Sequence, residues 1–121
     1  SREIKSKSQE DQDFIKKCME KIYENAGNED FNLKRLAVEM NMSQSTLYRK
    51  IKHITGMKAV NFMKKTKLKL AANLLLKESM PVSEVAWESG FTDEKYFSKC
   101  FAEEFGELPS KYRTKFQKGT E

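Results

Sequence analysis

The sequence predicts an all-α fold: two helix-turn-helix units joined by one long helix. Three observations carry that expectation. The first is an internal repeat, in which LAVEMNMSQSTLYRKIKHITG (36–56) is answered by VAWESGFTDEKYFSKCFAEEFG (85–106). At an offset of 49, Leu36, Ala37, Glu39, Asn41, Met42 and Ser43 fall on Val85, Ala86, Glu88, Gly90, Phe91 and Thr92. One inserted residue moves the offset to 50, and Leu47, Arg49, Ile51 and Gly56 then fall on Phe97, Lys99, Phe101 and Gly106. The second observation is the lack of any strand-like alternation of apolar and polar residues. The third is a run between the copies whose apolar residues recur at helical spacing.

Residues 1–12 (SREIKSKSQEDQ) are polar and unpatterned, and are expected to be a frayed linker. The first helix is expected from about Asp13 to Asn25, with Phe14, Cys18 and Ile22 on one stripe and Ile15 and Met19 beside it. Ala26–Gly27–Asn28 ends it. Asn32 caps a second helix over Leu33–Met40, and Asn41 takes the left-handed turn that Gly90 takes in the other copy. Ser43 caps a third helix reaching Ile54, with Leu47, Ile51 and Ile54 inward; this first unit spans 13–57.

The long helix is expected over 58–77, with Val60, Met63, Leu70 and Leu74 on one line and Leu68, Ala71 and Leu75 beside it. Pro81 starts the next helix, where its missing N–H costs little. The second unit, 78–116, points Val82, Val85 and Ala86 inward, turns at Gly90 and restarts near Thr92–Asp93. Phe97, Phe101 and Phe105 form its buried stripe, Gly106 ends that helix and Pro109 starts a short last one. A tail over 117–121 is expected to fray.

Size and charge narrow the function. A chain of 121 residues holds one domain or two very small ones sharing a spine. Net charge is +5, which favours a polyanionic partner through counterion release and steering. Cys18 and Cys100 have no metal-spaced companions and read as buried, reduced thiols. No apolar run approaches the length of a membrane span, and the expected location is the cytoplasm. No nucleophile–base pair, phosphate-cradling glycine loop or metal cluster stands out, so neither an enzyme nor a cofactor is expected. His53, the only histidine, lacks an acidic or thiol neighbour at ligand spacing.

In a helix-turn-helix pair the second helix lies in the major groove, and its N-terminal residues meet the base edges. The outward residues of the third helix are Gln44, Ser45, Tyr48, Arg49, Lys52 and His53, and the helix carries Arg49, Lys50 and Lys52 with no acid. The outward set of the sixth helix is Asp93, Glu94, Lys95, Ser98 and Lys99. Lys95 and Lys99 suit guanine, and Glu94 suits a cytosine amino group or merely the positive end of the helix dipole. A linker helix of about 20 residues is about 30 Å long. Successive major grooves on one face lie about 34 Å apart. The two helices can therefore address one face of a duplex.

At these residues the chain resembles the C-terminal DNA-binding domain of the AraC/XylS family of bacterial transcription regulators. The resemblance runs from Phe14 to Phe116 and is most specific in SEVAWESGFTDEKYFSKCFAEEFGELPSKYR (83–113). It implies tandem reading of double-stranded DNA by two helices, about 43–54 and 93–105. The implied base contacts are Ser45, Tyr48 and Arg49 in the first and Glu94, Lys95 and Lys99 in the second. Ser43, Lys52 and Thr92 become phosphate contacts, and Gln44, His53 and Ser98 are grouped with them. The resemblance also implies activation through RNA polymerase, with no residue assigned to that contact.

Three departures stand out: Leu108 where a Ser or Thr commonly caps the last helix, a bulky Trp87, and a small Ser45. Family members usually carry a further domain for ligand sensing or dimerisation, so the chain reads as an output-domain fragment. A hybrid two-component sensor or a ligand-sensing regulator is the expected parent. The alternative is a helical protein-interaction module that kept this fold without specific DNA binding.

Overall fold

The computed structural model describes residues 8–77 and 79–117. Among them lie seven helices and no strand: α1 (Gln9–Glu24), α2 (Leu33–Glu39), α3 (Gln44–Thr55), α4 (Ala59–Lys77), α5 (Val82–Glu88), α6 (Glu94–Phe105) and α7 (Pro109–Gln117). Several boundaries have a visible chemical cause. The Asn32 side chain accepts from the Arg35 N–H, Ser43 from Thr46, and Asp93 from Lys95 and Tyr96, so three helices start on side chains that satisfy orphan donors. Gly56 and Gly106 end α3 and α6 in left-handed conformation, at matching places in the two copies.

Two ends differ from expectation. α1 begins at Gln9 rather than near Asp13, because Ser8 accepts from the Asp11 N–H and Glu10 and Asp11 occupy the positive first turn. Residues 9–12 are thus helical, and the rest of the expected linker, 1–7, lies outside the described residues. At the other end Gln117 is not frayed: its Nε2 donates to the carbonyls of Leu75 and Leu76, each at 3.3 Å. The remainder of the expected tail, 118–121, lies outside the described residues.

Burial divides into two clusters strung on α4. The first gathers Cys18 and Ile22 of α1, Leu36 and Ala37 of α2, Leu47 and Ile51 of α3, and Ala59, Phe62 and Met63 of α4. The second gathers Leu68, Ala71, Ala72 and Leu75 of α4 with Val85, Ala86, Phe91, Phe97, Cys100 and Phe101. One helix therefore carries a core at each end, as its apolar spacing implies. The expected face is off by part of a turn at its start: Val60 is 60% exposed, and Phe62 takes the inward place. A helix that meets partners on different sides at its two ends has no single stripe.

Around Phe101 the second cluster is aromatic throughout. Phe97, Phe105 and Tyr112 lie at centroid separations of 5.7, 4.6 and 5.2 Å from it, within the range where rings attract beyond simple burial. Arg113 of α7 closes the C-terminal end of α4. Its Nε donates to the Leu75 carbonyl at 3.0 Å and its Nη2 to the Met80 carbonyl at 2.7 Å. The first bond satisfies a carbonyl that the end of α4 leaves open, and the second ties down the loop that follows it.

Candidate nucleic-acid interface

The first helix-turn-helix is α2, a turn at Asn41 and α3. Asn41 sits at φ 59°, the left-handed region where a short amide side chain is tolerated. The Met42 N–H returns to the Ala37 carbonyl at 3.0 Å and locks the turn. The second unit repeats this geometry: Gly90 sits at φ 98°, and the Phe91 N–H returns to the Ala86 carbonyl at 2.8 Å. The same backbone device occurs twice, at the two positions aligned by the repeat.

α3 presents Ser43, Gln44, Ser45, Tyr48, Arg49, Lys52 and His53 as exposed residues, with Leu47, Ile51 and Ile54 buried behind them. Its exposed face divides in two along the axis. At the N-terminal end the Gln44 amide lies 3.4 Å from the Tyr48 hydroxyl, and Arg49 follows within the next turn. The Ser43 hydroxyl is bonded locally, donating to Thr46 Oγ1 at 3.0 Å while accepting from the Thr46 N–H. Lys52 and His53 occupy the last turn, where cations offset the negative end of the helix dipole. The Lys52 Nζ donates to the Gly56 carbonyl at 3.2 Å. Lys50 turns away from this face and stands 4.9 Å from the centre of the Phe14 ring.

Thr92, before the cap of α6, and Glu94, Lys95 and Lys99 on the helix are exposed, and Ser98 is half-buried. Lys95 and Lys99 share one side at i and i+4, as do Glu94 and Ser98. Asp93, outward in the sequence, is occupied as the helix cap. Farther along α6 the Glu104 carboxylate stands 3.6 Å from Lys65 of α4, a surface pair of small energetic weight.

Sequence reasoning missed Tyr96, which is 49% exposed on the first turn of α6. It lines a cavity of about 320 Å³ with Asn61, Lys64 and Lys67 of α4 and with Thr92 and Asp93. The aromatic spacing that identifies Phe97, Phe101 and Phe105 as core says nothing of the ring beside them. Burial lifts the Cys18 thiol to about 11, with the nearby Lys50 charge acting weakly the other way, so the thiol stays neutral near pH 7. Among the described residues no group of three or more His, Cys, Asp or Glu side chains could hold a metal ion, and no helix is long and apolar enough to cross a membrane.

Two capped, outward-facing second helices on one shared helix define a tandem helix-turn-helix domain. The sequence matches the helix-turn-helix domain family over residues 36–115, both units included. The chain belongs to that family in its AraC type, the DNA-binding domains of transcription regulators and not a family of enzymes. It is 35% identical over 106 residues to Histidine kinase P4 of Formosa agariphila, covering 88% of this chain and 8% of that protein. The chain spans well under half the length of the curated relatives it matches.

Among solved structures it is similar to the C-terminal domain of AraT, a response regulator from Geobacillus stearothermophilus. The TM-score there is 0.72 and the identity 28%, covering 84% of each chain. The DNA-binding domain of AdpA, solved in complex with a target DNA, shares the fold at a TM-score of 0.74 and 23% identity, over 86% of this chain and 93% of that one.

Proposed function

We propose that this chain is the DNA-reading output domain of a bacterial regulator, placing α3 in one major groove and α6 in the next on the same face of the duplex. The observation that carries this reading is the doubled geometry: two capped helices, each with an exposed polar N-terminal half, mounted on opposite ends of α4. At 19 residues α4 is about 28 Å long, close to the groove repeat of about 34 Å. The units 13–57 and 78–116 act as the two heads, with 58–77 between them.

Ser45, Tyr48 and Arg49 read bases in the first groove, and Glu94, Lys95 and Lys99 in the second. Ser43, Gln44, Lys52, His53, Thr92 and Ser98 hold phosphates. The intact regulator activates transcription by contacting RNA polymerase and dimerises through a segment outside this sequence. The similarity to a histidine kinase and to a response-regulator domain supports a two-component parent.

Selection of bound duplexes from a random pool tests the reading. Two short motifs with centres about ten base pairs apart are expected. Affinity should fall steeply as salt rises, through counterion release. A pool that yields no motif, with weak binding indifferent to salt, would reject it and favour a protein partner.

A further inference from the structure

Gly90 is the point where both heads and the shared helix meet. The Nζ of Lys67, on α4 between the two cores, donates to the Gly90 carbonyl at 3.4 Å. A Cβ on Gly90 would stand 3.0 Å from both Cδ and Cε of Lys67, and 3.2 Å from the carbonyl oxygen of Ala26 just beyond the end of α1. Ala26 and Gly27 of the first head also face Trp87, Gly90 and Phe91 of the second across a narrow pocket. Lys67 is half-buried here, and desolvation pulls its pKa below the ordinary lysine value.

The repeat supplies an internal control. Asn41, the counterpart of Gly90, adopts the same left-handed backbone with a side chain in place and is exposed. Positive φ alone therefore does not demand glycine at this turn. Close approach does: at position 90 the space a side chain needs is taken by the Lys67 stem and the Ala26 carbonyl.

We infer that the Lys67–Gly90–Ala26 junction fixes the angle between the two heads, and so sets the spacing of the two half-sites the protein accepts. Lys67 is a positioning residue: it reaches the turn that launches α6, not the bases. Each core holds its own head on α4, and the contacts at this junction add a direct restraint of one head against the other. A small rotation at the turn moves the tip of α6 along the groove.

The inference rests on two-groove reading, and its test separates the two ideas. Half-sites selected by the wild-type protein are rebuilt with the spacing lengthened or shortened by one and two base pairs, and as a duplex carrying the α3 half-site alone. Lys67→Met keeps most of the stem and removes the donor. Its affinity at the best spacing should fall about tenfold, the scale of a lost charged hydrogen bond. Its preference among spacings should flatten, while binding to the single half-site stays as in wild type. Gly90→Asn, copied from the first unit, should flatten or shift the profile in the same way.

Spacing profiles identical to wild type in either folded variant would overturn the junction. So would a loss of equal size on the single half-site. A wild-type protein that engages no second half-site would instead refute two-groove reading.

Discussion

Arg49 and Lys52 lie three residues apart on α3, in different surroundings. Arg49 is exposed on the N-terminal half of the helix, beside Tyr48 and Gln44. Lys52 sits in the last turn with its ammonium against the Gly56 carbonyl. Under the proposed reading, a guanidinium fork at the N-terminal end can bond two acceptors on one guanine, and an ammonium at the far end would meet phosphate as a point charge. Arg49→Ala should weaken the selected site by about 1–3 kcal/mol and relax one base position. Lys52→Ala should weaken all sequences alike and reduce the salt slope by about one. Titrations of both variants on selected and scrambled duplexes check this. An Arg49→Ala loss of the same size on both duplexes would remove it from base reading.

At the scale of elements, the Phe stripe of α6 carries the second unit. Phe97 and Phe101 are fully buried, and Phe101 touches rings from α6 and α7 at once. Phe101→Ala leaves a cavity among rigid rings that cannot collapse, and should cost about 3–5 kcal/mol of stability. A melting temperature equal to wild type would mean the stripe is not the core of this unit.

That stripe was legible in the sequence because aromatics four apart on a helix share one face. So were the capping residues Asn32 and Ser43, because capping is local chemistry, whereas Asp93, read as outward, proves to be the cap of α6. The outward sets on α3 and α6 were legible for the same reason; all of them are exposed except the half-buried Ser98. What escaped was long-range. Lys67 meets Gly90 across 23 residues, and no periodicity encodes that contact. Val60 was misplaced because α4 turns different faces to its two cores, so a single line along it fails at one end.

For the whole molecule, charge is divided unequally between the heads. α3 carries Arg49, Lys50 and Lys52 and no acid, whereas α6 sets Lys95 and Lys99 against Glu94, Glu103 and Glu104. Counterion release scales with the phosphates neutralised, so the first head should supply most of the salt-dependent affinity. The second, with acids among its lysines, should repel backbone that is not matched by a good base contact, and so should act mainly as a discriminator. Duplexes carrying only the α3 half-site should therefore retain measurable binding with a steep salt slope. Duplexes carrying only the α6 half-site should bind weakly, with a shallower one. Joining both half-sites at the accepted spacing should raise affinity well beyond either, because the second contact is made at the high effective concentration that α4 imposes. Equal slopes for the two isolated half-sites would contradict this division of labour. A paired site no tighter than the α3 half-site would show instead that α6 does not engage while α3 is bound.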